Sequence, residues 1–94
     1  MTVKVKFYSL FKINLKSSGE EYELEQPITI SELIEKLDAD YNNYFTNRLL
    51  NEKGEIVPGA IILVNGKNII HIEKLNTMIE NGDVITLFPP SAGG

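Results

Sequence analysis

The first predicted strand shows as an alternation of apolar and polar residues near the start of the chain. Val3, Val5 and Phe7 fall on one face of residues 3–8, and lysines fall between them on the other face. A period of two residues with β-branched side chains predicts a strand that buries one face and exposes the other.

A second alternation, from Glu20 to Glu25, predicts another strand with Tyr22 and Leu24 facing inward. Ser17-Ser18-Gly19 precedes it as a turn signal. The two strands are predicted to pair as an antiparallel hairpin, which sets lysines of the first near glutamates of the second. The connecting segment from Ser9 to Lys16 is apolar for a hairpin loop, and we expect a wide loop that folds back on the core.

A helix is predicted from Ile30 to Tyr41. It opens with Thr29-Ile30-Ser31-Glu32, which fits a capping box in which the Thr29 hydroxyl and the Glu32 carboxylate each bind the other residue's backbone amide. Apolar residues then recur at helical spacing. Tyr44 to Leu50 is predicted to form a second, short helical turn.

The second half of the chain predicts the remaining strands. Ala60 to Val64 is a continuous apolar run, typical of a central strand covered on both faces. Asn65-Gly66 suits a tight turn, and Asn68-Ile69-Ile70 is predicted to be a short returning strand. Another turn, Asn81-Gly82-Asp83, precedes the last predicted strand, Val84 to Phe88.

These elements predict an α+β fold of β-grasp type: a mixed sheet of four to five strands with one main helix packed on one face. The handedness of crossover connections places the first strand beside the last and parallel to it. We expect residues 1–88 to form one domain. Pro89-Pro90 ends the last strand, because proline lacks an amide donor, and residues 89–94 are expected to form an extended, flexible tail.

Composition excludes most kinds of active site. The 94 residues include no cysteine and one histidine, and the net charge is −4. Disulfides, cysteine nucleophiles, thiolate metal sites and multi-histidine metal sites are therefore excluded, and no metal site is predicted. The negative charge argues against direct nucleic-acid binding. No apolar run approaches the length of a membrane span, and we expect a soluble, cytoplasmic protein without a membrane partner.

Few side chains are candidates for chemistry. The glutamates of the second strand are interpreted as a solvated strand face and His71 as a surface histidine, because neither has a partner motif. Phe11 and Phe88 are candidate anchors for a protein partner. Phe88 precedes a segment with almost no side-chain bulk, Ser91-Ala92-Gly93-Gly94, which is interpreted either as a frayed terminus or as a tail that inserts its carboxylate into a partner's narrow active site.

The sequence resembles the MoaD/ThiS family of ubiquitin-like sulfur carriers, and most closely the MoaD branch, the small subunit of molybdopterin synthase. The resemblance rests on residues 3–7, 29–33 and 63–69, and above all on the run from Asn81 through Phe88-Pro89-Pro90 to Gly94. It covers essentially the whole chain.

The resemblance implies a carrier that binds no cofactor and is not catalytic alone. A MoeB-like, ubiquitin-activating-type adenylyltransferase would adenylate the Gly94 carboxylate with ATP and magnesium, and sulfur would replace AMP to give a thiocarboxylate. In a complex with a MoaE-like large subunit, that sulfur would pass to cyclic pyranopterin monophosphate during molybdenum or tungsten cofactor synthesis. The chain alone is expected to be a monomer. The residues implied in partner binding are Phe11, Lys12, Phe88, Pro89, Pro90, Ser91, Ala92 and Gly93.

Two departures from the family pattern leave an alternative open. Lys12-Ile13 stands where members commonly have Arg-Glu, so a bidentate contact is lost. The segment from Tyr41 to Ala60 is longer than in compact bacterial members and resembles long archaeal forms. Some of those are conjugated to protein lysines or serve tRNA thiolation, and a modifier acting through Gly94 is therefore the alternative. A plain adaptor domain is a third reading.

Overall fold

The computed structural model describes residues 1–90. Seven strands and three α-helices follow in this order: β1 (Thr2–Phe7), α1 (Leu10–Leu15), β2 (Gly19–Glu23), β3 (Ile28–Thr29), α2 (Ile30–Tyr41), α3 (Tyr44–Leu49), β4 (Ile61–Val64), β5 (Lys67–Asn68), β6 (Met78–Ile79) and β7 (Val84–Phe88). Two 3-10 turns, Ile69–His71 and Lys74–Asn76, lie between β5 and β6.

The main sheet has five strands in the order β2-β1-β7-β4-β5. β1 is parallel to β7 and antiparallel to β2, and β4 is antiparallel to both β7 and β5. The predicted hairpin and the parallel pairing of the first and last strands are confirmed. β3 and β6 form a separate two-stranded ladder that the sequence pattern did not predict, since two-residue strands carry no periodic signal.

The core lies between one face of this sheet and the helices. Every second residue of β1 points into it, and α2 contributes four apolar residues at helical spacing, Ile30, Leu33, Ile34 and Leu37. The buried apolar residues of the core are Val3, Val5, Phe7, Phe11, Leu24, Ile28, Ile30, Leu33, Ile34, Leu37, Phe45, Leu49, Ile62, Val64, Ile69, Ile79, Ile85 and Leu87.

The capping box at the start of α2 is confirmed. The Glu32 amide donates to Thr29 Oγ1 at 3.1 Å, and the Thr29 amide donates to Glu32 Oε1 at 2.9 Å. Near the end of the helix, Asp38 Oδ1 accepts from the amides of Phe45 and Thr46 at 3.0 and 3.1 Å. Asp38 therefore satisfies the first free amides of α3 and holds the second helix against the first.

Three predictions about local structure are wrong. The segment after β1 does fold back on the core, through Phe11, but it contains α1 and is not a wide loop. The apolar run of β4 is not covered on both faces, because the helices pack on one side of the sheet only and Ile61 remains 39 % exposed. Only Asn68 of the predicted returning strand lies in a strand, and Ile69–His71 forms a 3-10 turn.

No helix among residues 1–90 is both long enough and apolar enough to cross a bilayer.

Candidate functional site

Two aromatic rings stack where the last strand ends. The Tyr8 and Phe88 ring centroids are 5.1 Å apart, and their planes are inclined by 20°. The strand register produces this contact: Phe7 is paired with Leu87, the Tyr8 amide donates to the Leu87 carbonyl at 3.2 Å, and the next residues on each strand meet on the outer face of the sheet. Ile61 of β4 completes the group, since it is paired with Phe88 on the other side of β7.

We name Tyr8, Phe88 and Ile61 the aromatic row. It lies on the open face of the sheet, opposite the helices, with Tyr8 41 % and Ile61 39 % exposed. Phe88 is half-buried rather than free, because the Tyr8 ring covers one of its faces. A row of apolar side chains left open to solvent beside the root of the tail is a surface that a partner protein can cover.

Pro89 and Pro90 continue from the aromatic row and are half-buried. They belong to no strand, as expected for residues without an amide donor. The other predicted tail residues, Ser91, Ala92, Gly93 and Gly94, lie outside the described residues.

The expectation that Phe11 contacts a partner is corrected by its burial. Its side chain is fully buried, and its ring packs edge-on against Tyr44 and tilted against Phe45, with centroids 5.8 and 5.1 Å apart. A ring with no exposed surface has a structural role in the core. Lys12, the next residue of α1, is exposed and lies with residues of β1 and β2 around one shallow concavity.

Tyr8 and Ile61 are the functional candidates that the sequence reasoning missed. Both occupy outward positions of their strands, and the alternation of residues 3–8 already placed Tyr8 on the polar face. An aromatic residue at an outward strand position was the available signal. What could not be read from the sequence was that Phe88, eighty residues further on, would lie against it.

The glutamates of β2 have structural partners. Lys4 Nζ lies 3.8 Å from Glu21 Oε1, and the Tyr41 hydroxyl donates to Glu20 Oε1 at 2.6 Å. Among residues 1–90, no group of three histidine or carboxylate side chains is placed to hold a metal ion. His71 is exposed in the first 3-10 turn, outside the aromatic row.

The altered pKa values lie between β2 and α2, away from the tail. Burial, assisted by a hydrogen bond to Asp40, raises the pKa of Tyr22 well above its usual range. Burial and a hydrogen bond to Glu20 likewise raise the pKa of Tyr41. Both hydroxyls therefore keep their protons to higher pH than a free tyrosine does, and their hydrogen bonds join the edge strand β2 to α2.

Known sequences match this chain over most or all of its length. The model of the ThiS family matches residues 9–94. Small archaeal modifier protein 3 of Haloferax volcanii is 28 % identical over 94 residues, and the alignment covers 100 % of both chains. A protein of Archaeoglobus fulgidus that bears the name sulfur carrier protein is 31 % identical over 86 residues, covering 88 % of this chain and 97 % of its own length.

Solved structures show the same fold. The solution structure of the HVO 2177 protein of Haloferax volcanii superposes with a TM-score of 0.81 at 26 % identity, covering 100 % of this chain and 87 % of that one. Subunit 1 of a molybdopterin converting factor from Pyrococcus furiosus superposes with a TM-score of 0.72 at 25 % identity, covering 97 % and 99 %. The β-grasp prediction is confirmed, and this chain belongs to the ThiS/MoaD ubiquitin-like family of sulfur carriers and modifiers.

Proposed function

We propose that this protein is a sulfur carrier that acts as the small subunit of molybdopterin synthase, with the Gly94 carboxylate as its reactive group. The observation that supports this most is the aromatic row at the root of the tail. The row lies directly before Pro89-Pro90 and the bulk-free residues 91–94, so a partner that covers it also receives the tail.

The chemistry divides between the tail and its partners. The Gly94 carboxylate attacks the α-phosphorus of ATP, held with magnesium on a MoeB-like adenylyltransferase, and pyrophosphate leaves. A persulfide sulfur then attacks the activated carbonyl carbon, AMP leaves, and reduction of the resulting acyl disulfide by a thiol frees the thiocarboxylate. Activation is needed because a carboxylate is a poor electrophile. In the MoaE-like large subunit the sulfur then passes to cyclic pyranopterin monophosphate.

In this proposal, residues 1–90 position the start of the tail for the partner proteins and carry out no catalytic step themselves. The stacked pair Tyr8–Phe88 fixes the side chain at the start of the tail, and the parallel pairing of β1 with β7 holds both strands in the middle of the sheet. Glycines at the end of the tail carry no side chain, which lets a partner's backbone approach closely. The folded domain therefore serves as a rigid base for the tail, and the partner proteins supply the active-site cavities.

Two assays in sequence test this function. The protein is first incubated with the MoeB-like enzyme, ATP, magnesium, a persulfide donor and a thiol, and its intact mass is measured. We expect a species with one oxygen replaced by sulfur. The thiocarboxylated protein is then mixed with the MoaE-like subunit and cyclic pyranopterin monophosphate. Formation of molybdopterin supports the proposal, and thiocarboxylation without molybdopterin would show that the sulfur goes to another acceptor.

A second candidate function is a ubiquitin-like modifier joined to protein lysines through Gly94, with or without a role in tRNA thiolation. It is favoured by the full-length alignment with a small archaeal modifier protein. The test is proteomics of tryptic peptides from cells that express the protein with an identifiable tail. Lysines carrying a remnant of that tail support the modifier function, and their absence under conditions where the thiocarboxylate accumulates argues against it.

A further inference from the structure

The charge of this protein is divided unevenly along the chain. Residues 1–19 carry four lysines and no acidic side chain, whereas residues 20–94 carry five basic and thirteen acidic side chains. The lysines of this first segment are Lys4, Lys6, Lys12 and Lys16, and all four are exposed. A protein with a net charge of −4 therefore has a concentrated positive region, on β1 and α1.

The lysines of β1 precede the aromatic row along the same face of the strand. Lys4, Lys6 and Tyr8 alternate along the outer face of β1, about 7 Å apart from one to the next. Lys6 lies beside Thr86 of β7, one step before the Tyr8–Phe88 stack. Lys12 of α1 lies at the same shallow concavity of about 540 Å³ as Lys4, Lys6 and Tyr8, and Glu20 and Glu21 of β2 border it on the other side.

Of the three lysines at the concavity, two have no salt-bridge partner among residues 1–90. Lys4 lies opposite Glu21 in the hairpin and forms an ion pair with it at 3.8 Å. Lys6 lies opposite Gly19, which has no side chain, and neither Lys6 nor Lys12 forms a salt bridge within the described part of the chain. Their charges are available to a partner that covers the aromatic row.

We propose that Lys6 and Lys12 form a basic docking strip that pairs with an acidic surface on the protein that activates the tail, and that this strip speeds and orients the encounter. The inference rests on the proposed function, because the partner is the adenylating enzyme invoked there. The strip is continuous with the aromatic row through Tyr8. A partner whose apolar pocket receives Phe88 would therefore meet both lysines with the rim of that pocket.

The dimensions of the strip favour a protein partner over a nucleic acid. The positive column is one strand wide, about 5 Å, and Glu21 borders it on β2 while the aromatic row closes its end. A phosphate backbone is neutralised by lysines spread over several successive phosphates, and here it would run onto glutamates on one side. A few carboxylates on the rim of an apolar pocket match the arrangement better.

Charges at the rim of an interface act mainly on the association rate. They lie in solvent, so their contribution falls as salt shortens the screening length from about 10 Å at 0.1 M to about 3 Å at 1 M. A variant that lacks these lysine charges should therefore associate more slowly than wild type at low salt and at the same rate at high salt. Its dissociation rate should change little.

The experiment compares Lys6→Glu/Lys12→Glu with the matched control Lys36→Glu/Lys53→Glu. Lys36 lies on α2, on the helical side of the sheet, and Lys53 lies in the loop before β4; both are exposed. Each pair lowers the net charge by four units, so only the position differs. Association with the MoeB-like adenylyltransferase is measured by stopped flow at 0.05 and 1 M NaCl, together with ATP-dependent adenylation and the melting temperature.

We expect Lys6→Glu/Lys12→Glu to lower the association rate by about tenfold or more at low salt, the control to lower it less than about threefold, and all rates to converge at 1 M NaCl. Lys6→Gln/Lys12→Gln should show a smaller loss of the same kind, which keeps the test valid if the reversal variant melts early. Equal losses in the two reversal pairs, or no loss in either, would overturn the inference.

Two other outcomes separate the causes of failure. A gel shift with total tRNA that wild-type protein shows and Lys6→Gln/Lys12→Gln loses would assign the strip to nucleic acid and overturn the docking inference. If wild-type protein is neither bound nor adenylated, the proposed function fails and the inference fails with it. If wild-type protein is adenylated and the lysine variants associate at its rate, the inference alone is wrong.

Discussion

Tyr8 and Phe88, the residues just after β1 and at the end of β7, stack with their ring centroids 5.1 Å apart on the open face of the sheet. The pair joins the first strand of the fold to the root of the tail. Tyr8 is 41 % exposed, so one face of the stack remains available. The contact therefore serves both the fold, by ordering the end of β7, and the surface that a partner would cover.

Replacement of Phe88 should weaken both partner binding and the fold. Phe88→Ala removes a half-buried ring and its stacking. We expect a stability loss of about 1–3 kcal/mol, below the range for a fully buried ring, because part of Phe88 is exposed to solvent. Because Phe88 is proposed as a central anchor of the interface, Phe88→Ala should also weaken binding of the adenylating enzyme by about 30-fold. Ile70→Ala is the control, because Ile70 is 50 % exposed in the 3-10 turn after β5. Equal losses in both variants would contradict a role for the aromatic row.

Changes at the end of the tail should abolish function and leave the fold intact. Deletion of Gly94, or addition of an alanine after it, alters the position of the reactive carboxylate in the proposed mechanism. Among residues 1–90 the last member of the core is Leu87. We expect no thiocarboxylate by intact mass and a melting temperature within about 2 °C of wild type, because glycine has no side chain whose packing the deletion could remove. A large fall in melting temperature would instead indicate a structural tail.

The elements that the sequence predicted were those with a complete local signal. α2 combines a capping box with four apolar residues at helical spacing, and both features determine its bounds without reference to the rest of the chain. The first and last strands were placed side by side by a rule of chain topology, and their pairing is confirmed. The resemblance to a carrier family rested on residues 3–7, 29–33 and 63–69 and above all on residues 81–94, and the family match over residues 9–94 confirms it.

The parts that failed depend on contacts between distant residues. α1 has only six residues, too few for helical periodicity to separate it from an apolar loop, so Phe11 was read as a surface ring rather than a core residue. The apolar run of β4 looked like a strand covered on both faces, yet nothing among residues 1–90 packs over Ile61 to bury it. The stack of Tyr8 on Phe88 needs the register of two strands, which no local pattern supplies.

Phe11 and Ile13 provide a test of the corrected role of α1. Phe11 is fully buried, and Ile13, two residues on, is 67 % exposed. Phe11→Ala should lower the free energy of unfolding by about 3–5 kcal/mol, because a large ring leaves a cavity. Ile13→Ala should change it by less than about 0.5 kcal/mol. Chemical denaturation measures both, and a stable Phe11→Ala protein with impaired partner binding would restore the earlier interpretation.

Gly19 is required by the close approach of two strands. A Cβ atom added there would lie 2.0 Å from the carbonyl oxygen of Val5, and its φ of +145° is one that other residues rarely adopt. Gly19→Ala should cost about 2–5 kcal/mol through strain and displacement of β2. Gly54→Ala is the control: its φ is +77° but nothing lies within 4 Å of the added atom, so about 1–2 kcal/mol is expected. Similar losses in both would show that β2 yields easily.

The two phenol–carboxylate pairs between β2 and α2 should make the fold sensitive to alkali. The Tyr22 hydroxyl donates to Asp40 and the Tyr41 hydroxyl to Glu20, each at 2.6 Å, and burial together with these bonds raises both pKa values. In the unfolded chain tyrosine loses its proton near pH 10. The folded state keeps the proton to higher pH, so the contribution of each pair is fully present below about pH 10 and is lost as the pH rises through the folded pKa.

Tyr22→Phe therefore removes part of the alkaline loss of stability. We expect wild type to lose more of its free energy of unfolding between pH 9 and 11 than Tyr22→Phe does, as measured by urea denaturation at each pH. Comparing each variant with wild type at the same pH cancels the titration of lysines, which occurs in both. Tyr8→Phe is the control, because the Tyr8 hydroxyl donates to no carboxylate among residues 1–90 and its removal leaves both pairs intact. Parallel pH curves for wild type and Tyr22→Phe would show that the Tyr22–Asp40 bond does not hold the phenol proton, and that the edge strand is fastened to α2 by packing instead.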